Sequence, residues 1–321
     1  MARMAAPIPA SATLAEARDL WRRSLEAANK APKTIVTYLF AVDRLAGQVG
    51  ADRPINKITR ADHEATLLSL KGRGGAEAQP ASVSTVYRSL RAFWGWVVTA
   101  EDLPVKRDPM NGMRGPIVPP KEVDMLSDAE LRRVLATCKP RSRHAYLGHR
   151  DEAIIRMIAT TGIRLAEVAN LRVSDVDYLS PEPTFRVLGK GRRPRELPID
   201  GDTLAALKLY LGPKKERSRH AAAGSDWLWL ARGGQMSAGG IAQMFAVRGK
   251  AAGIARRVHP HELRHRFIHT LLSAGFSEGN VMAMSGHRSR SMMDRYGAIS
   301  KSSRALAAFR DASTAGLLPK L

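Results

Sequence analysis

The side chains best suited to chemistry are crowded into the stretch from Val258 to Tyr296, VHPHELRHRFIHTLLSAGFSEGNVMAMSGHRSRSMMDRY, which holds five of the nine histidines of the chain. Two patterns share its letters. His261-Glu262-Leu263-Arg264-His265 fits H-E-x-x-H, two imidazoles one helical turn apart that could hold zinc beside a glutamate base. The same residues also read His261-x-x-Arg264, an imidazole and a guanidinium on one helix face, a pair suited to phosphate. Fixed cations at Arg264 and Arg266 oppose a dication between them. The longer zinc pattern fails as well, because Ile268 and Leu271 stand where glycine and a third histidine belong, leaving Glu278 as a remote third ligand. The phosphate reading gains from Gly286-His287 and from Tyr296, nine residues beyond His287. A phenol can take a phosphoryl group covalently and return it to a DNA hydroxyl, so a strand can be broken without losing its bond energy.

Such a reaction places charge on non-bridging oxygens, which arginine's planar fork neutralises. Arg264 is one candidate. Arg164, within TGIRLAEVANLRVSD, is another, with Glu167 three residues on to orient it. A tyrosine with a pKa near ~10 needs a proton acceptor at neutral pH, for which His261 is placed. A leaving oxygen needs a proton, and Lys190, at the Gly189-Lys190-Gly191 tip of an expected hairpin, can approach DNA closely, though Arg192, Arg193 and Arg195 lie near enough to blur the assignment.

Taken together and in order, TGIRLAEVANLRVSD, His261-x-x-Arg264, Gly286-His287 and Tyr296 resemble the catalytic domain of the tyrosine recombinases, the phage-integrase and Xer-type family. The resemblance covers residues 126 to 300 by motif and the N-terminal part by architecture. It implies Arg164 and Arg264 as the phosphate-clamping arginines, Lys190 as general acid, His261 as proton acceptor, His287 as a hydrogen-bond donor to the same phosphate and Tyr296 as nucleophile. Glu167 and His265 are expected in supporting roles. Two departures stand out: the family's Leu-Gly-His is Ser285-Gly286-His287 here, and Arg266-Phe267-Ile268-His269 replaces a smaller, threonine-rich run. No metal, nucleotide or other cofactor is implied, since each phosphodiester becomes a phosphotyrosyl link and then a phosphodiester again. The chain also lacks the G-x-x-x-x-G-K-[ST] loop.

Composition points the same way. Fifty-one Lys and Arg against thirty Asp and Glu give a net charge of +21 over 321 residues, and a pI near 10.8. A surplus that large implies a polyanionic partner, nucleic acid first. At 44% hydrophobic the chain can bury real cores, and its length allows two domains. The single Cys138 excludes an internal disulfide and a cysteine-based zinc site. No apolar run approaches the ~20 residues that span a bilayer, and the opening MARMAAPIPASAT lacks a secretory apolar stretch. A cytoplasmic protein is expected.

The elements that position these groups are expected to be mainly α with a small antiparallel β-sheet: an N-terminal helical-bundle core-binding domain and a C-terminal tyrosine-recombinase catalytic domain. Residues 1–12 read as a flexible leader. Residues 13–110 read as four helices, opened by capping boxes at Thr13/Glu16 and by a cap at Thr59. Residues 111–125 read as an extended linker, because NGMRGPIVPP is rich in Gly and Pro. Residues 126–321 read as the catalytic domain, in which KPRSRHAYLGHR is a basic loop, Arg150 to Thr161 a helix, and TFRVLGKGRRPRELPID a hairpin. Lys30, Lys33, Arg44, Arg88 and Arg91 are candidate phosphate contacts of the first domain; Arg192 and Arg193 are candidates near the hairpin tip. By the resemblance, a helix at 302–312 docks into a neighbouring protomer, and the chain is a monomer in solution that forms a homo-tetramer on double-stranded DNA with paired sites. The competing readings are a type IB topoisomerase, a zinc-dependent hydrolase using residues 261–265, and a non-catalytic DNA-binding regulator.

Overall fold

The structure, a computed structural model, describes residues 12–103, 105–119, 124–139, 145–189, 194–212 and 225–287. Lys190, Arg192, Arg193, Tyr296, the leader through residue 11 and the helix expected at 302–312 lie outside the described residues. The chain divides into two compact units, residues 1–121 and 122–321. The described part is mostly helical, with small antiparallel sheets.

The first unit is built on α1 (Leu14–Ala27), α2 (Pro32–Val49), α3 (Arg60–Leu68) and α4 (Pro80–Val97). Capping boxes start α1 and α3: the Thr13 hydroxyl accepts from the Glu16 N–H at 3.2 Å while the Glu16 carboxylate accepts from the Thr13 N–H at 2.8 Å, and Thr59 and Asp62 repeat the exchange. Each cap satisfies donors that the first turn leaves without partners, worth about 1 kcal/mol. Helical spacing puts Leu14, Ala17, Trp21 and Leu25 of α1 against Leu39, Val42 and Leu45 of α2 and Leu90, Phe93, Trp94 and Val97 of α4, all buried in one cluster. Met110 is also fully buried there, and the Tyr87 hydroxyl donates to the Met113 carbonyl at 2.5 Å. The start of the segment expected to be linker is thus tied to this unit.

His63 is buried among these helices with neither ring nitrogen hydrogen-bonded; its ring stands edge-on to Trp94 at 5.6 Å. Burial lowers its pKa from 6.5 to about 4, against a weak upward pull from Asp108 and Asp62. The folded value lies below the unfolded one, so the unfolded chain binds the extra proton. Stability from this site is complete above pH 6.5 and falls as the pH drops toward 4, by about 3 kcal/mol in all. Urea unfolding at pH 7.5 and 4.5 checks this: His63→Leu is expected to lose distinctly less stability on acidification than the wild type.

The second unit centres on α6 (Ala145–Thr161), which packs against α8 (Gly201–Leu211) and α10 (Pro260–Ser273). Around them stand α5 (Asp128–Ala136), opened by the Ser127/Glu130 capping box, the short α7 (Leu165–Ala169), α9 (Ala238–Ala251) and α11 (Glu278–Ser285). A three-stranded sheet runs β1 (Val176–Asp177), β2 (Thr184–Leu188), β3 (Pro194–Pro198) in that order, all antiparallel. Phe185 pairs with Leu197 and Val187 with Arg195, so these four share the core-facing side, while Arg186 and Glu196 face out and pair at 3.5 Å. A two-stranded ribbon, β4 (Leu230–Ala231) and β5 (Gly234–Gln235), completes the strands.

Four expectations need correction. The basic loop expected through Arg150 ends earlier, because α6 already begins at Ala145. Tyr146 and Arg150 are buried, and Arg150 donates to Asp151 and to the Leu230 carbonyl. Residues 165–169 form α7, where no helix was expected. Asp200, not Asp202, caps α8, its carboxylate accepting from the Thr203 N–H at 3.0 Å. The β4–β5 ribbon was not anticipated.

Candidate active site

Arg164 sits where α6 gives way to α7, a reversal made by Gly162 at φ +60°. That angle suits glycine, and a Cβ there would overlap the Phe267 ring. Arg164 is the residue preceding α7, and its backbone N–H donates to Glu167 Oε2 at 3.0 Å while its Nη1 donates to Oε1 at 3.1 Å. The same carboxylate receives the fork of Arg195 from β3, Nη1 to Oε1 at 3.0 Å and Nη2 to Oε2 at 2.7 Å. Burial alone would raise the Glu167 pKa, yet the Arg195 bonds, the Arg164 N–H and the two guanidinium charges outweigh it and hold the carboxyl below its ordinary range.

Arg264 lies in the second turn of α10 and is only 4% exposed. Its Nη1 donates to the Gly162 carbonyl and its Nη2 to the Ser285 carbonyl at 2.8 Å, with His287 Nε2 3.1 Å from Nη2. Ser285, the departure from the family's leucine, is buried. Its single hydroxyl proton goes to the Val281 carbonyl at 2.6 Å, so toward His287 Nδ1, 2.8 Å away, it can only accept. That places the imidazole proton on Nδ1 and leaves Nε2 as acceptor from Arg264. In that tautomer the ring accepts from Arg264.

One feature unites the cluster. Three consecutive carbonyls at the C-terminal end of α11 each accept from a different arginine: Met284 from Arg195 Nε at 3.2 Å, Ser285 from Arg264, and Gly286 from Arg164. A helix end carries unpaired carbonyls and partial negative charge, a natural collector of cations. Gly286, at φ +71°, closes the helix in the left-handed conformation; a Cβ there would come within 2.8 Å of Arg164 Nη1 and 3.0 Å of Arg195 Nη1. Burial first, then the neighbouring guanidiniums of Arg264 and Arg164, push the His287 pKa down to about 4.

His261 is exposed on the first turn of α10, its ring 6.0 Å from that of the half-buried His265. Desolvation, then the charges of Arg264 and Arg164, lower its pKa, so at neutral pH it is a free-base acceptor. Glu262, the would-be base of the zinc pattern, is buried instead. It accepts from the His259 N–H at 2.9 Å and pairs with Arg256 at 2.7 Å, capping the helix. The zinc reading finds no support in this arrangement.

The structure thus brings Arg164, Glu167, His261, Arg264, His265 and His287 into one neighbourhood; Lys190 and Tyr296 lie outside the described residues. Arg195 was missed. The signal for it was strand alternation: Arg195, Leu197 and Ile199 fall on one side, and a charged residue on the core side needs a partner. In the first unit Lys30, Lys33, Arg44, Arg88 and Arg91 are all exposed. Arg91 is paired with Asp108 at 2.5 Å. Arg44 borders a cleft of about 380 Å³ between α2 and α4, beside Thr85 and the exposed Phe40.

Comparison with known proteins agrees with this geometry. Residues 124–303 match the model of the phage integrase family. The chain is 34% identical to the tyrosine recombinase XerC of Oceanobacillus iheyensis over 157 residues, 48% of this chain and 51% of that protein. It thus spans about half the length of that relative. It is 27% identical to the tyrosine recombinase XerC of Proteus mirabilis over 290 residues, 88% of this chain and 89% of the relative. Among solved structures, the XerH site-specific recombinase bound to palindromic difH substrate, a post-cleavage complex, superposes with a TM-score of 0.67 at 19% identity, covering 91% of this chain and 84% of that one, a likeness of fold. The chain belongs to the phage integrase family. Its enzyme class is that of the tyrosine-type site-specific recombinases.

Proposed function

We propose that this chain cleaves and rejoins double-stranded DNA through a 3′-phosphotyrosyl intermediate on Tyr296, without metal or ATP. Arg164 and Arg264 bind the non-bridging oxygens of the scissile phosphate. His261 accepts the phenolic proton and Lys190 protonates the leaving 5′ oxygen; a DNA 5′ hydroxyl, the original one or that of the partner strand, then attacks the phosphotyrosyl link, releasing the phenol and reversing or completing the exchange. Glu167 orients Arg164, while His287 and His265 support Arg264 and its helix. The observation that carries this reading is the gathering of arginines on the carbonyls of one helix end, beside imidazoles kept neutral. Such a site offers fixed positive charge and a proton acceptor together, as phosphoryl transfer to a phenol requires.

On DNA the chain acts as a homo-tetramer across paired sites, in the bacterial cytoplasm, with Lys30, Lys33, Arg44, Arg88 and Arg91 of the first unit and Arg192 and Arg193 of the second on the phosphate backbone. Kinship with bacterial XerC recombinases and the net charge of +21 support this. A helix at 302–312 docking into a neighbouring protomer completes the arrangement.

Covalent trapping in EDTA tests the chemistry. Wild type and Tyr296→Phe meet nicked duplexes drawn from the DNA flanking the gene and from a randomised pool, and products are separated in SDS. An adduct confined to the wild type is expected. Adducts that persist in Tyr296→Phe would overturn the nucleophile assignment, and tight binding by both with no adduct would favour a non-catalytic regulator.

A further inference from the structure

Arg195, to which sequence reasoning gave no role of its own, is fully engaged by protein partners. Arg195 directs both terminal nitrogens at Glu167, at 3.0 and 2.7 Å, and its Nε at the Met284 carbonyl at 3.2 Å. Its side chain is 15% exposed against 33% for Arg164. Glu167 in turn holds Arg164 through both the backbone N–H and Nη1. With all three kinds of donor nitrogen engaged, Arg195 is poorly placed to take up a phosphate itself. Its geometry fits a different task.

We infer that Arg195 is a positioning residue that acts through Glu167 on Arg164. A lone carboxylate beside Arg164 could swing and accept from it in several ways. Locked from the other side by a bidentate fork, Glu167 presents one oxygen to Nη1 and the other to the backbone N–H, which fixes the plane of the Arg164 guanidinium. The Nε contact with Met284 anchors the same fork to the turn whose next carbonyls hold Arg264 and Arg164. The two arginines thereby face the scissile phosphate with a set separation and set planes, and the fold carries the ordering entropy before DNA arrives. The absence of a Cβ at Gly286 is part of this device, since it lets both Arg164 and Arg195 close on the turn.

This inference rests on the reading of Arg164 as a phosphate clamp, and the test separates the two. The substrate is a nicked duplex carrying the sequence at which wild type forms its adduct, made once with the natural phosphate and once with a methylphosphonate, of mixed diastereomers, at the scissile position. A methylphosphonate lacks the negative charge that a guanidinium neutralises. Adduct rates are compared for wild type, Arg164→Ala, Arg195→Ala, Glu167→Gln and the double variant Glu167→Gln/Arg195→Ala. On the phosphate, Arg195→Ala is expected to slow adduct formation by about 10²-fold among folded molecules, with DNA affinity near wild type. On the methylphosphonate its deficit shrinks to a few-fold, in parallel with Arg164→Ala, and the double variant is no slower than the slower single one. A wild-type rate for Arg195→Ala on phosphate, or an equal deficit on both substrates, would overturn the inference, the second result marking a purely structural role. If Arg164→Ala shows no charge-dependent rescue, the clamp reading itself fails. Should Arg195→Ala not fold, Arg195→Lys, which keeps the charge and loses the fork, is carried through the same comparison with the same criteria.

Discussion

Replacing Arg264 with alanine is expected to slow covalent adduct formation by about 10³-fold and to lower the unfolding free energy by about 2–3 kcal/mol. Two effects combine because one side chain serves two purposes. As a buried group it satisfies the carbonyls of Gly162 and Ser285 and the acceptor nitrogen of His287. Truncation strands all three away from water, and stranded buried acceptors are where large losses arise. As a guanidinium it supplies one of the two positive charges proposed to face the scissile phosphate. Lysine at 264 retains charge but not the planar fork, so it should recover part of the stability and little of the rate. Urea melts and single-turnover adduct rates on the same preparations check both halves. A variant that loses stability but keeps its rate would remove Arg264 from the phosphate site.

The second large effect is expected far from any charge. Gly162→Ala should destabilise the second unit by about 2–4 kcal/mol, measured by urea unfolding, and slow adduct formation well beyond what the stability loss explains. The residue is held at φ +60°, and the added methyl meets the Phe267 ring rather than open space. Relief requires moving either the start of α7, which carries Arg164, or the second turn of α10, which carries Arg264. The Gly162 carbonyl itself accepts from Arg264, so the clamp opens whichever side yields. By contrast, alanine at Gly253, also at positive φ but facing open space, should leave the adduct rate unchanged.

Much of this was legible in the residues because the governing interactions are local. Thr13 with Glu16 and Ser127 with Glu130 announce helix starts within four positions, and the structure places capping boxes at both. The hairpin announced itself through alternation around a Gly-Lys-Gly turn, and β2 and β3 pair across it. The separated motifs converge on one family, and residues 124–303 match it. What stayed hidden depends on partners distant in sequence. Arg150 seemed part of a basic loop because its Leu230 carbonyl lies 80 residues away. Arg195 was one basic residue among several until Glu167, 28 residues back, and Met284, 89 residues on, gave it an environment. Histidine 63 gave no hint of full burial, since its setting is made by the edge of Trp94.

The helix end that collects the arginines also sets a proton balance for DNA binding. With burial, Arg264 and Arg164 push the His287 pKa down to about 4. On the proposed reading, a phosphate seated among these guanidiniums brings compensating negative charge, so the His287 pKa is expected to rise when DNA is bound. Binding and protonation would then be linked: above pH 4 the complex is expected to hold part of a proton that the free protein does not, and DNA affinity to strengthen as the solution is acidified. His63 and His287, one in each unit, would then set the acid side of the working range from opposite directions.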